Sequence, residues 1–175
     1  MFILSKMGDI LVNMLKPEKA LTMLDFEHKK IHEGKSFLIT KTWTGVSSEA
    51  NVGVVLDSPV GEHHIVFEVN FSNGGTFSIF EDVTSVDGTE IPKINHNRRS
   101  DMTCSMGVYD MDTVSDTGTS IYSITHASGS GPATNRALSV GRNEFILKPE
   151  VKYLFRATSG AAGSTINLII NWYMP

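Results

Sequence analysis

The sequence is poor in most of the features that mark a protein's chemistry. It has one cysteine, Cys104, in 175 residues. A lone thiol closes no internal disulfide, so nothing signals an oxidising compartment. Basic charge is also scarce: 15 Lys and Arg against 19 Asp and Glu leave a net charge of −4. Phosphate neutralisation needs clustered cations, so no nucleic-acid partner is expected. The one basic pair near aromatics or loops, Arg98-Arg99, reads as solvated loop charge. No apolar run approaches the ~18 residues of a membrane span, so no membrane partner is expected either. Met1-Phe2-Ile3-Leu4 starts like a leader, but Lys6 interrupts it and no charged stretch precedes it. The expectation is a protein made in a cytoplasm.

The standard catalytic signatures are missing as well. There is no Gly-x-Ser-x-Gly elbow, no phosphate loop and no dinucleotide fingerprint. Cys104 has no histidine beside it in sequence and reads as a buried, inert thiol. His28 and His32 are spaced i, i+4. On a helix they share one face. On an extended segment they stand roughly 13 Å apart, too far to hold one ion. Lys29 occupies the position where a zincin motif needs Glu, so a metal is not expected there. His63 and His64 are adjacent and would face opposite ways on a strand, and His96 and His126 have no partner nearby in sequence. Asp110, Asp112 and Asp116 fall in one acidic stretch, but the EF-hand spacing and its closing Glu are absent. At most they suggest weak calcium binding. Trp43, Tyr122, Trp172 and Tyr173 are the candidates for a sugar-stacking platform, with the core as the competing place for Trp172. The expectation is no catalytic residue, no cofactor and no metal site: a protein that is not an enzyme.

What the chain has is a two-residue rhythm. Apolar content of 41% with 19% charge suits a globular chain, and 175 residues suit one domain. Ile65, Phe67, Val69 and Phe71 alternate with His64, Glu68 and Asn70, as on a half-buried strand. Ser72-Asn73-Gly74-Gly75 then predicts a tight hairpin returning through residues 76–81. Near the C-terminus, Ile166, Leu168, Ile170 and Trp172 alternate with Asn167, Ile169, Asn171 and Tyr173. Further strands are predicted at 36–43, 50–56, 89–95, 103–109, 119–126, 145–147 and 151–158. About ten short strands with frequent turns predict an all-β, antiparallel β-sandwich, jelly-roll-like. Residues 1–20 stand apart. Ile10, Leu11, Met14 and Leu15 have helical spacing, and Pro17 ends it. The predicted organisation is an N-terminal arm or short helix over 1–20 and a sandwich over 21–175, strand-like from Leu21 onward. That apolar arm either docks on a neighbouring subunit or covers its own sandwich. Residues 110–118 and 127–141 are predicted as exposed loops.

Three stretches resemble one family. His28-Lys29-Lys30-Ile31-His32-Glu33-Gly34-Lys35-Ser36-Phe37 is similar to an H-x-x-I-H-x-G-x-x-F opening. Asp87-Gly88-Thr89, followed by Asn95-His96-Asn97-Arg98-Arg99-Ser100, resembles a G-T … N-x-N-R-x-S segment. Gly141-Arg142-Asn143-Glu144-Phe145-Ile146-Leu147-Lys148-Pro149, then Lys152-Tyr153-Leu154-Phe155-Arg156 and the run Asn167 to Tyr173, is similar to an R-N-E-W-I-L-K-P … Y-L-x-R … N-W-Y tail. The family is that of small structural proteins of tailed bacteriophages, of the head decoration or cement type. Phe145 stands where the family has Trp, the chain ends at Pro175 without an acidic tail, and the first 20 residues lie outside the likeness. The resemblance implies a virion protein on the capsid surface, assembled in the host cytoplasm. Its implied partners are the major capsid protein and copies of itself, with a trimer favoured. A tail or baseplate piece, or a carbohydrate-binding sandwich, is the alternative. In residue terms, His32-Glu33-Gly34 reads as a turn between two strands, and Asn95, Asn97 and Ser100 as residues that hydrogen-bond their own loop.

Overall fold

The computed structural model describes residues 26–127 and 144–174. The predicted helix over 8–16 and nearly all of the predicted loop over 127–141 lie outside them. Among the described residues one α-helix, α1 (Phe26–His32), comes first. Twelve strands follow: β1 (Ser36–Val46), β2 (Asn51–Asp57), β3 (His63–Phe71), β4 (Gly75–Glu81), β5 (Thr84–Ser85), β6 (Ile94–Asn95), β7 (Gly107–Asp110), β8 (Val114–Asp116), β9 (Thr119–His126), β10 (Phe145–Leu147), β11 (Lys152–Ser159) and β12 (Ser164–Tyr173). A 3-10 turn, Met111–Thr113, sits between β7 and β8.

All ladders are antiparallel. The first sheet runs β10-β3-β12-β1-β6 and the second β7-β2-β11-β4-β9. Along the chain, β1, β3, β10 and β12 go to the first sheet, and β2, β4, β9 and β11 to the second. This alternation between two packed sheets is the strand order of a jelly roll. The all-β sandwich read from the sequence is therefore the fold, with a short helix ahead of it.

Alternation puts the apolar set of each strand between the sheets. Ile65, Phe67, Val69 and Phe71 of β3, and Ile166, Leu168, Ile170 and Trp172 of β12, are buried there. Phe77, Ile79, Tyr153 and Phe155 oppose them from the second sheet. Phe67 lies at the centre, with ring centroids 5.0 Å from Phe77 and 5.9 Å from Phe155. A second, smaller cluster lies on the outer face of the second sheet: Val55, Leu154 and Phe80 form one cross-strand row, with Val83, Met111 and Val114 packed over it.

Five local expectations need correction. The segment after Leu21 is not strand throughout, because residues 26–32 form α1. His32-Glu33-Gly34 is thus no turn between strands but the C-terminal cap of a helix. The Gly34 N–H bonds the Ile31 carbonyl at 3.0 Å, and the Lys35 N–H bonds the Lys30 carbonyl at 2.9 Å. With Gly34 at φ +72°, this is a Schellman cap. The predicted hairpin over 64–81 is also wrong. Both strands exist, but β3 pairs with β12 and β4 with β11 and β9, in opposite sheets. Residues 72–74 arch across the end of the sandwich, because Phe71 and Phe77 must both face the same core. The predicted strands 89–95 and 103–109 shorten to β6 and β7, with irregular chain held by side chains between them. Finally, 110–118 is more ordered than a plain loop: β8 pairs with β5, and the turn at Met111 roofs the small cluster.

Candidate functional site

Part of each motif-bearing stretch reaches the first sheet, while residues 152–156 lie on β11 of the second. Phe37 of β1 faces Asn95 of β6 on one side and Trp172 of β12 on the other. Tyr173 of β12 in turn faces His64 of β3, and Ile146 of β10 faces that same His64. Side chains lock the corner. The Asn95 amide donates to the Gly34 carbonyl at 2.8 Å, and the Asn97 amide to the His32 carbonyl at 3.1 Å. Both carbonyls lie at the C-terminal end of α1, where helix carbonyls lack intrahelical donors. The loop also folds on itself: Asn97 N–H bonds Asn95 Oδ1, Arg99 N–H bonds Asn97 Oδ1, and Met102 N–H bonds Ser100 Oγ. The expectation that these residues bond their own loop holds, and the sequence missed their second task of capping α1.

Beside this corner lies a cleft of about 210 Å³ lined by Glu27, Ile31, Ser36, Val66, His96 and Tyr173, among others. Ser36 Oγ is 2.9 Å from His96 Nδ1. The pair lies 60 residues apart in sequence, so no motif could show it. A nucleophile needs a base that is itself oriented by a third group. Among the described residues no carboxylate hydrogen-bonds the His96 ring. The His96 backbone N–H also binds the Ser36 carbonyl at 2.9 Å, so the contact fastens loop to strand. At the far edge of the sheet, Glu144 accepts from Tyr173 and meets His64 Nδ1 at 2.7 Å, while the His64 and Tyr173 rings stack with centroids 4.8 Å apart.

The other sequence candidates are scattered. His63 is buried, and neither ring nitrogen has a hydrogen-bond partner. Burial holds its pKa below the ordinary histidine value; the neighbouring Gly61 backbone opposes this and His64 adds to it. Burial lowers His126 in the same way. Cys104 is half-buried rather than buried, and its sulfur accepts from Trp172 Nε1 at 3.1 Å. Asp110, Asp112 and Asp116 do not converge. Asp110 pairs with Lys41 at 2.7 Å, bridging the two sheets, and Asp116 accepts from the Gly118 N–H, while Asp112 is exposed. Among the described residues no cluster of three or more His, Cys, Asp or Glu side chains could hold a metal. The aromatic platform does not form: Trp172 and Tyr173 are buried, and Trp43 and Tyr122 are half-buried against the core. Arg98, Arg99, His28 and His32 are exposed, as is Met102 at 42%.

No protein-family model matches the chain, and comparison with curated proteins and with solved structures finds no significant match. The site is therefore argued from its own residues. They build a rigid corner that presents arginines, histidines and a methionine.

Proposed function

We propose that this chain is a structural protein of a tailed-phage virion that decorates the head by binding the major capsid protein. In this reading it is not an enzyme, and it acts at the capsid surface as a closed symmetric oligomer, a trimer in the favoured case. One observation carries the reading. Parts of the stretches that resemble the decoration family, far apart in sequence, meet in one corner: Ser36 and Phe37 pair with Tyr173 and Trp172, and Asn95 and Asn97 bond the carbonyls of Gly34 and His32. A likeness spread over separate segments gains weight when those segments form one physical unit. The jelly roll agrees, since capsid proteins use it; lectins do too, so fold alone does not choose.

The test is co-sedimentation of the purified chain with phage heads lacking it. Saturable binding, with one stoichiometry per lattice site, is the expected result. No binding under conditions where the chain stays folded would contradict the proposal.

A second reading, a glycan-binding module, has a specific observation behind it. The outer face of the second sheet carries a polar ladder. Thr158 donates to Asn51 at 2.7 Å, Thr76 meets Thr125 at 3.0 Å, and Ser78 meets Ser123 at 3.0 Å. Hydroxyl and amide rows of this kind can exchange hydrogen bonds with sugars. Binding of the isolated chain to a glycan array, with no affinity for heads, would replace the first reading by this one.

A further inference from the structure

His28 and His32 stand one turn apart on α1, both exposed. Their Nε2 atoms are 2.9 Å apart, with ring centroids at 4.6 Å and planes at 70°. The extended alternative, with the rings roughly 13 Å apart, does not apply, because the segment is helical. As a hydrogen bond the contact uses one N–H and one lone pair, so one ring must donate and the other accept. The same separation has a second meaning. Two imidazole nitrogens held at about 2.0–2.1 Å from one ion, at right angles, lie about 2.9 Å apart. The rings already stand where two cis ligands stand.

The surroundings do not oppose a cation. Lys29 and Lys30 lie between the two histidines in sequence, but Glu33 draws both ammonium groups, at 3.7 Å and 3.1 Å. The backbone beneath is fixed by the Schellman cap and by Asn97 on the His32 carbonyl, so little ordering cost falls on binding.

We propose that His28 and His32 form a two-histidine chelate for a divalent transition metal of the copper or nickel type. Imidazole ligands suit these ions, and a right-angle pair suits tetragonal geometry better than the wider angle of tetrahedral zinc. The protein supplies two cis positions. Water, or a ligand from another molecule, fills the others. Such a site is open by construction and serves to bridge or to anchor.

The full-length chain is titrated with NiCl2 alone by calorimetry, and with CuCl2 by electron paramagnetic resonance. One ion per chain is expected, with a copper spectrum showing two equivalent nitrogen ligands. His28→Gln or His32→Gln leaves a single ligand, and the lost chelation weakens binding on the order of a hundredfold. Both side chains are exposed, so far-ultraviolet circular dichroism confirms that the variants remain folded. Absence of saturable binding overturns the proposal. So does binding that persists unchanged in the doubly substituted chain.

Discussion

Gly34 has φ +72°, and a Cβ built on it would lie 2.1 Å from Ser100 Oγ. Both facts come from one arrangement, a helix cap with a loop pressed against it. Gly34→Ala adds backbone strain and a clash, and is expected to destabilise the chain by about 1–3 kcal/mol. Asn97→Ala removes one donor from the cap and costs about 1 kcal/mol. Urea midpoints of the two variants read both effects, and an unchanged midpoint for Gly34→Ala would refute this account of the corner. His63 makes a separate prediction. Its folded-state pKa lies below the unfolded value near 6.5, so the folded form binds protons less readily. The stability this contributes is complete above that pH and is lost as pH falls below it. His126 acts with the same sign. Melting temperature should therefore fall on acidification below about 6.5, and His63→Leu should flatten the fall. Of these residues the sequence made Asn95, Asn97 and Gly34 legible as structural. It could not show that they act on one another, since Asn95 and Gly34 are 61 positions apart.

Strand positions were readable because alternation is a local property. Strand partners were not, because a Gly-rich link serves an arch as well as a hairpin. Gly75 shows the difference. At φ +155°, its missing Cβ would lie 2.5 Å from both the Phe71 ring and the Thr158 carbonyl. That glycine lets β4 leave the first sheet and enter the second. α1 escaped the two-residue reading because it is a single short helix of seven residues whose cap glycine also suits a turn. The small outer cluster was unreadable for another reason: β2, β4 and β11 bury side chains on both faces, so their pattern is continuous rather than alternating. Leu154→Ala should cost about 2–5 kcal/mol despite facing away from the main core, as thermal unfolding can measure. The longest outer strand in either sheet is β9, with eight residues, and its register shifts opposite Ile79/Phe80. Such a bulge twists an edge and discourages strand addition. If the chain forms the proposed oligomer, its subunit contacts are therefore expected to survive a Ser123→Pro substitution better than substitutions in the motif corner, as light scattering would reveal.

At the scale of the whole molecule, the proposed function makes the corner built from α1, the loop over 94–102, and the ends of β1 and β12 the surface that meets the capsid. This predicts that Arg98→Glu and Arg99→Glu together reduce head binding by tenfold or more, which corresponds to about 1.4 kcal/mol, while leaving the melting temperature within a few degrees of the parent, since both side chains are exposed. The most direct measurement is electron cryomicroscopy of intact particles carrying the protein. The account predicts density for two packed antiparallel sheets at regular positions on the head lattice, with the α1 corner turned toward the major capsid protein. Density for this fold on the tail alone, or its absence from the particle, would contradict it.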